Sequence, residues 1–129
     1  MASADLRDRA SRQRALAWGA AAEQCVLELL QRRGWALVER NWRGGGGELD
    51  LVVCRDGALR IVEVKARAAD DPVGLEAISA GKQRRLRGAA RSFLAFYEKP
   101  YDEVCFMVAL VEAAEPAPRI TIIDDAFDG

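Results

Sequence analysis

Two apolar runs, Leu49-Asp50-Leu51-Val52-Val53-Cys54 and Ala58-Leu59-Arg60-Ile61-Val62-Glu63-Val64, flank the pair Asp56-Gly57. Asp-Gly between β-branched runs predicts two antiparallel strands joined by a two-residue turn, because both turn positions need positive φ. In that register Asp50 lies opposite Glu63, and Glu48 opposite Lys65. Residues two apart on a strand share a face. The register therefore predicts all four charges on one side of the sheet, at the open end of the hairpin. Leu49, Leu51 and Val53 are expected on the other side, facing Val64, Val62 and the stem of Arg60.

The remaining pattern places further elements around this hairpin. Residues 1–14 are polar and arginine-rich and read as an N-terminal tail, leaving 15–127 as a single domain. From Ala15 the apolar positions Leu16, Ala20, Cys25, Leu27, Leu29 and Leu30 predict a helix that stops at Gly34. Ala36 to Trp42 alternates as a strand, and Arg43-Gly44-Gly45-Gly46-Gly47 reads as a mobile loop. Arg67 to Gly74 is expected as loop, with Asp70-Asp71-Pro72 inside it. Ser79 is placed to cap a second helix over about Gly81 to Tyr97, with Leu86, Ala89, Ala90, Phe93, Leu94 and Tyr97 inward. Strands over Glu103 to Val111 and Ile120 to Ile123 complete the order αβββαββ. That order predicts an α/β fold with a mixed sheet flanked by helices.

Composition narrows the chemistry. The 129 residues include no histidine, which removes histidine bases, Ser-His-Asp catalysis and every histidine-containing metal motif. Cys25, Cys54 and Cys105 are scattered singly, without disulfide or zinc spacing, and read as small buried apolar residues. Carboxylates and lysine must carry any reaction. No apolar run can span a membrane and the N-terminus lacks a secretory pattern, so a cytoplasmic protein with no membrane partner is expected. The net charge of −1 hides an asymmetry: residues 1–97 hold 17 Lys and Arg against 12 Asp and Glu, whereas residues 98–129 hold 2 against 8. A basic region rich in arginine suits phosphate.

Asp50 directly opposite Glu63 is unfavourable in a sheet unless a cation lies between the two or one keeps its proton. Divalent cations resolve such a conflict, and oxygen ligands suit Mg2+. The alternative is a solvated polar face neutralised by Lys65. Trp42 could stack on an unpaired base, or sit in the core at a strand end.

Asp50 followed by Glu63-Val64-Lys65 resembles the PD-(D/E)XK nuclease signature. The fuller set includes Gly19 to Glu23, Arg40-Asn41-Trp42-Arg43, Gly47-Glu48-Leu49-Asp50, Val62 to Arg67, Lys82 with Arg85-Leu86, and Asp125-Ala126-Phe127. That set resembles the YraN-type bacterial family, which is similar to archaeal Holliday-junction resolvases. The resemblance implies a restriction-endonuclease-like fold. It also implies catalytic roles for Glu23, Asp50, Glu63 and Lys65, with Glu48 auxiliary. Asp50, Glu63 and the Val64 carbonyl would ligate Mg2+, or Mn2+ in its place, and Lys65 would orient the attacking water. Arg40, Arg43, Arg67, Lys82 and Arg85 would contact nucleic acid, DNA above all, and by the same analogy a homodimer is an option. Cys105 and Met107 stand where the family usually carries Arg and Asp. The expected activity is phosphodiester hydrolysis, in branched DNA among other substrates. The alternatives are a non-catalytic nucleic-acid-binding module of a repair, recombination or uptake assembly, and a protein-interaction scaffold using the acidic C-terminal segment.

Overall fold

The protein is described by a computed structural model covering residues 2–67 and 78–129, with side chains from Leu6 onward. Helix α1 (Ala2–Arg32) precedes strands β1 (Ala36–Gly44), β2 (Gly47–Arg55) and β3 (Ala58–Arg67). Helix α2 (Ala80–Phe96) and strands β4 (Glu103–Glu112) and β5 (Arg119–Ile123) follow. The predicted element order holds, and the five strands form one mixed sheet in the order β1-β2-β3-β4-β5. Only β3 and β4 run parallel; every other neighbouring pair is antiparallel. A parallel pair needs a crossover, and α2 lies within it.

Each helix covers one face. Ala22, Val26, Leu27 and Leu30 of α1 pack on Leu51, Val53, Val62, Met107 and Val111. Leu86, Ala89, Ala90 and Phe93 of α2 pack on Leu49, Val52, Ile61, Phe106 and Val108. Met107, at the position of an expected acid, thus serves the apolar layer beneath α1.

Several boundaries differ from the pattern-based expectation. The first helix starts at Ala2 rather than at Ala15, so residues 2–14 are helical. Leu6 is 60% exposed and Leu16 75% exposed, so Leu16 does not belong to the buried stripe. The glycine-rich segment is not a loose loop but the end of β1, a tight turn at Gly45-Gly46, and the start of β2. A Cβ at Gly47 would lie 2.6 Å from the Arg85 carbonyl oxygen, and one at Gly88 would lie 2.7 Å from that of Gly45. The glycines let the hairpin end lie against α2 backbone to backbone. The expected loop around Asp70-Asp71-Pro72 lies outside the described residues. The three cysteines are half-buried rather than buried.

Candidate acidic site at the fork of β2 and β3

The Asp56-Gly57 turn forms as its chemistry requires, with φ of 50° and 83°. From there β2 and β3 pair in the expected register, from Arg55 opposite Ala58 to Leu51 opposite Val62. The paired rungs stop there, one residue short of Asp50 and Glu63. Beyond that point the Val64 N–H donates to Asp50 Oδ2 at 2.8 Å. A carboxylate has thus replaced a backbone carbonyl as the partner of a strand amide.

The faces also differ from simple alternation. Leu51 and Val53 pack beneath α1, whereas Leu49 packs beneath α2. Leu49 therefore does not share a side with Leu51 and Val53, and the four charges are not a single row. Glu63 lies on the α2 side, where Lys82 Nζ reaches its Oε1 at 3.2 Å. Ser79 accepts the Lys82 N–H at 3.1 Å as the N-cap of α2 and thereby fixes the turn that carries this lysine. Lys65 is exposed. Among the described residues the cation paired with Glu63 is Lys82, which sequence reasoning assigns to nucleic acid. A motif lysine two positions along the strand draws attention first, and no spacing rule in the sequence points to the helix.

Glu63 is 7% exposed, and its buried Oε2 has no hydrogen-bond partner among the described residues. Burial, followed by the Asp50 charge, pushes its pKa up from 4.5 to about 7, against the opposing pull of Lys82. Burial also raises the Asp50 pKa, opposed by the Val64 N–H, by Glu63 and by Lys82. The two carboxyls can bond each other only while one holds a proton. Glu23, half-buried on α1, is raised by burial and by the charges of Asp50 and Glu48, with Arg40 pulling it down. Glu23, Glu48, Asp50 and Glu63 therefore share one electrostatic neighbourhood. Among the described residues no three acidic or thiol side chains converge tightly enough to cage a metal by themselves. Asp50 and Glu63, two carboxylates with one buried oxygen that lacks a donor among the described residues, suit a divalent cation.

The basic residues divide into two groups. Arg40 donates to Gln24 Oε1 of α1 at 3.2 Å, and Arg43 pairs with Glu48 at 3.6 Å on the surface. Arg85 is exposed along α2 beside Arg84. Arg67 is engaged by Glu112 at 3.2 Å in a largely buried pair, which Arg119 joins at 3.5 Å. That pair ties the end of β3 to β4. Trp42 is half-buried, edge-on to Phe93 at 5.6 Å, and serves the α2-side core. Ala126 and Phe127 also pack there: the Ala126 N–H bonds the Phe106 carbonyl at 2.9 Å, and Phe127 stacks on Phe106 at 4.6 Å. No helix among the described residues is long and apolar enough to cross a membrane.

Sequence comparison gives this arrangement its relatives. The model of "Uncharacterised protein family UPF0102" matches residues 22–123, a span containing Glu23, Asp50, Glu63, Lys65 and Lys82. A UPF0102 protein of Prochlorococcus marinus (strain MIT 9303) is 46% identical over 117 residues, covering 86% of this chain and 90% of its own. One from Ralstonia pickettii (strain 12J) is 42% identical over 117 residues, with the same coverage of 86% and 90%. A third, from Synechococcus sp. (strain JA-3-3Ab), is 44% identical over 97 residues, or 73% of this chain and 74% of that protein. With four-fifths or so of its length inside that match, and with these relatives, the chain belongs to the UPF0102 family.

Proposed function

We propose that the chain is a divalent-metal-dependent, nuclease-like protein of restriction-endonuclease-like fold that hydrolyses phosphodiester bonds in nucleic acid, DNA above all. The observation that carries the reading is the half-buried Asp50 beside the buried Glu63 at the point where β2 and β3 part, with Glu63 Oε2 left without a donor among the described residues. An uncompensated buried carboxylate is costly, and Lys82 answers only one of the two acids' charges. Asp50 and Glu63 would hold Mg2+, or Mn2+ in its place. Such an ion supplies a water of lowered pKa and neutralises charge on phosphoryl oxygens.

The chain's own groups have separable tasks in this reading. The Val64 N–H holds the Asp50 carboxylate in place. Lys82 fixes the orientation of Glu63. Lys65, exposed two residues beyond Glu63, orients the attacking water. Arg84 and Arg85 on the outer side of α2 hold backbone phosphates, giving salt-sensitive and sequence-tolerant binding.

One observation favours a second reading, a nucleic-acid-binding module without catalysis: Glu63 already has a protein cation, Lys82, at 3.2 Å. Cleavage of supercoiled plasmid and of a four-way junction with Mg2+ or Mn2+ separates the two. The nuclease reading expects cleavage by the wild type that Asp50→Ala and Lys65→Ala abolish. Cleavage equal in all three proteins would trace to a contaminant and overturn it. Salt-dependent binding without cleavage would establish the binding module.

A further inference from the structure

We propose that Asn41 is a positioning residue for Asp50: its left-handed backbone reverses both neighbouring strands and delivers the Asp50 carboxylate to the Val64 amide. The registers on either side of Asn41 carry the argument. Arg40 pairs with Leu51, and Trp42 pairs with Leu49. Arg40 bonds Gln24 of α1, and Leu51 packs in the layer beneath α1. Trp42 and Leu49 instead pack in the layer beneath α2. Residues two apart on a regular strand share a face, so β1 and β2 both reverse at the intervening position. On β1 that position is Asn41, with φ of 52°; on β2 it is Asp50.

Asparagine is among the few residues other than glycine that enter the left-handed region readily. With an ordinary extended backbone at position 41, Trp42 would follow Arg40 to the α1 side and leave Phe93. Leu49 would follow Leu51, and Asp50 would rejoin a regular ladder. The reversal instead places Asp50 where its side chain, rather than a backbone carbonyl, receives the Val64 N–H at 2.8 Å. Asn41 is exposed, so what the site draws from it is a backbone conformation rather than a side-chain interaction. Glycine should therefore substitute and a β-branched residue should not.

The consequence for metal binding rests on the reading proposed above; the positioning itself does not. The test follows the Val64 amide resonance in ¹⁵N-labelled full-length protein, with Asp50→Ala as reference for the absent hydrogen bond, alongside calorimetric titration with Mn2+. Asn41→Gly is expected to keep the wild-type Val64 resonance and Mn2+ affinity. Asn41→Val is expected to move the resonance to its Asp50→Ala position and to weaken Mn2+ binding at least tenfold. Asn41→Ala, a milder demand on the same backbone, gives the same displacement should the valine variant not fold. A folded Asn41→Val or Asn41→Ala protein with an unmoved Val64 resonance overturns the inference. Wild-type protein that binds no Mn2+, with the resonances behaving as expected, removes the metal reading and leaves the positioning role standing.

Discussion

Replacing Glu63 with glutamine should change how stability depends on pH. A carboxyl raised from 4.5 to about 7 in the folded protein binds its proton more tightly folded than unfolded. Its contribution to stability is fully present below the unfolded value and is lost as pH rises through about 7. The window corresponds to a loss of about 3 kcal/mol, at about 1.4 kcal/mol per tenfold change in proton affinity. Glu63→Gln cannot ionise, so the wild type should lose about 3 kcal/mol relative to the variant between about pH 4.5 and pH 8. In a domain of this size that equals a relative shift of about 10 °C in Tm. The assay is a urea or thermal melt of both proteins across that range in the presence of a chelator. The constant offset between the curves contains only the difference between glutamine and protonated glutamate at this position; their divergence with pH reports the ionisation of Glu63, its ion pair with Lys82 included. Parallel curves would overturn this expectation, because they would mean that Glu63 titrates alike in folded and unfolded chains and is not confined with Asp50.

Other outcomes follow from the packing and the charges. Gly47→Ala or Gly88→Ala forces a methyl within 2.6–2.7 Å of a backbone oxygen where the hairpin meets α2, and each should cost about 1–3 kcal/mol in urea denaturation. Ser79→Ala removes the cap that receives the Lys82 N–H, and should cost about 1 kcal/mol with fraying of the first turn of α2 in amide exchange. Arg84→Gln with Arg85→Gln should lower the slope of log affinity for duplex DNA against log salt by about 0.9 for each phosphate no longer neutralised, with little effect on melting.

Much of the framework was legible in the sequence because its causes are local. Asp56-Gly57 specifies its turn through two positive φ values, and the rungs from Arg55 to Leu51 follow from that turn. Ser79 marks the start of α2 by a bond made within one helical turn. The parts that pattern alone misplaced depend on distant neighbours. Gly45 and Gly47 read as a mobile loop until α2 is placed against them, and that helix enters the chain more than thirty residues later. Strict alternation put Leu49 with Leu51, because nothing in the periodicity of β2 shows that Asn41 on β1 reverses the pair. Lys65 occupied the expected place in the motif, yet the cation at Glu63 comes from α2. Arg67, expected to contact nucleic acid, has Glu112 of β4 beside it, a pairing that no local pattern in the sequence shows. The acids themselves were legible as chemistry out of place: Asp50 and Glu63 interrupt strands that are otherwise buried.

The proposed chemistry stands on one property, that Asp50 and Glu63 together bind a divalent cation. Calorimetric or paramagnetic titration of the wild type, Asp50→Ala and Glu63→Gln with Mn2+ near neutral pH measures that property without a substrate. Saturable binding to the wild type that weakens at least tenfold in both variants is expected. No binding by the wild type, or binding of equal strength in all three proteins, would rule the shared cation site out.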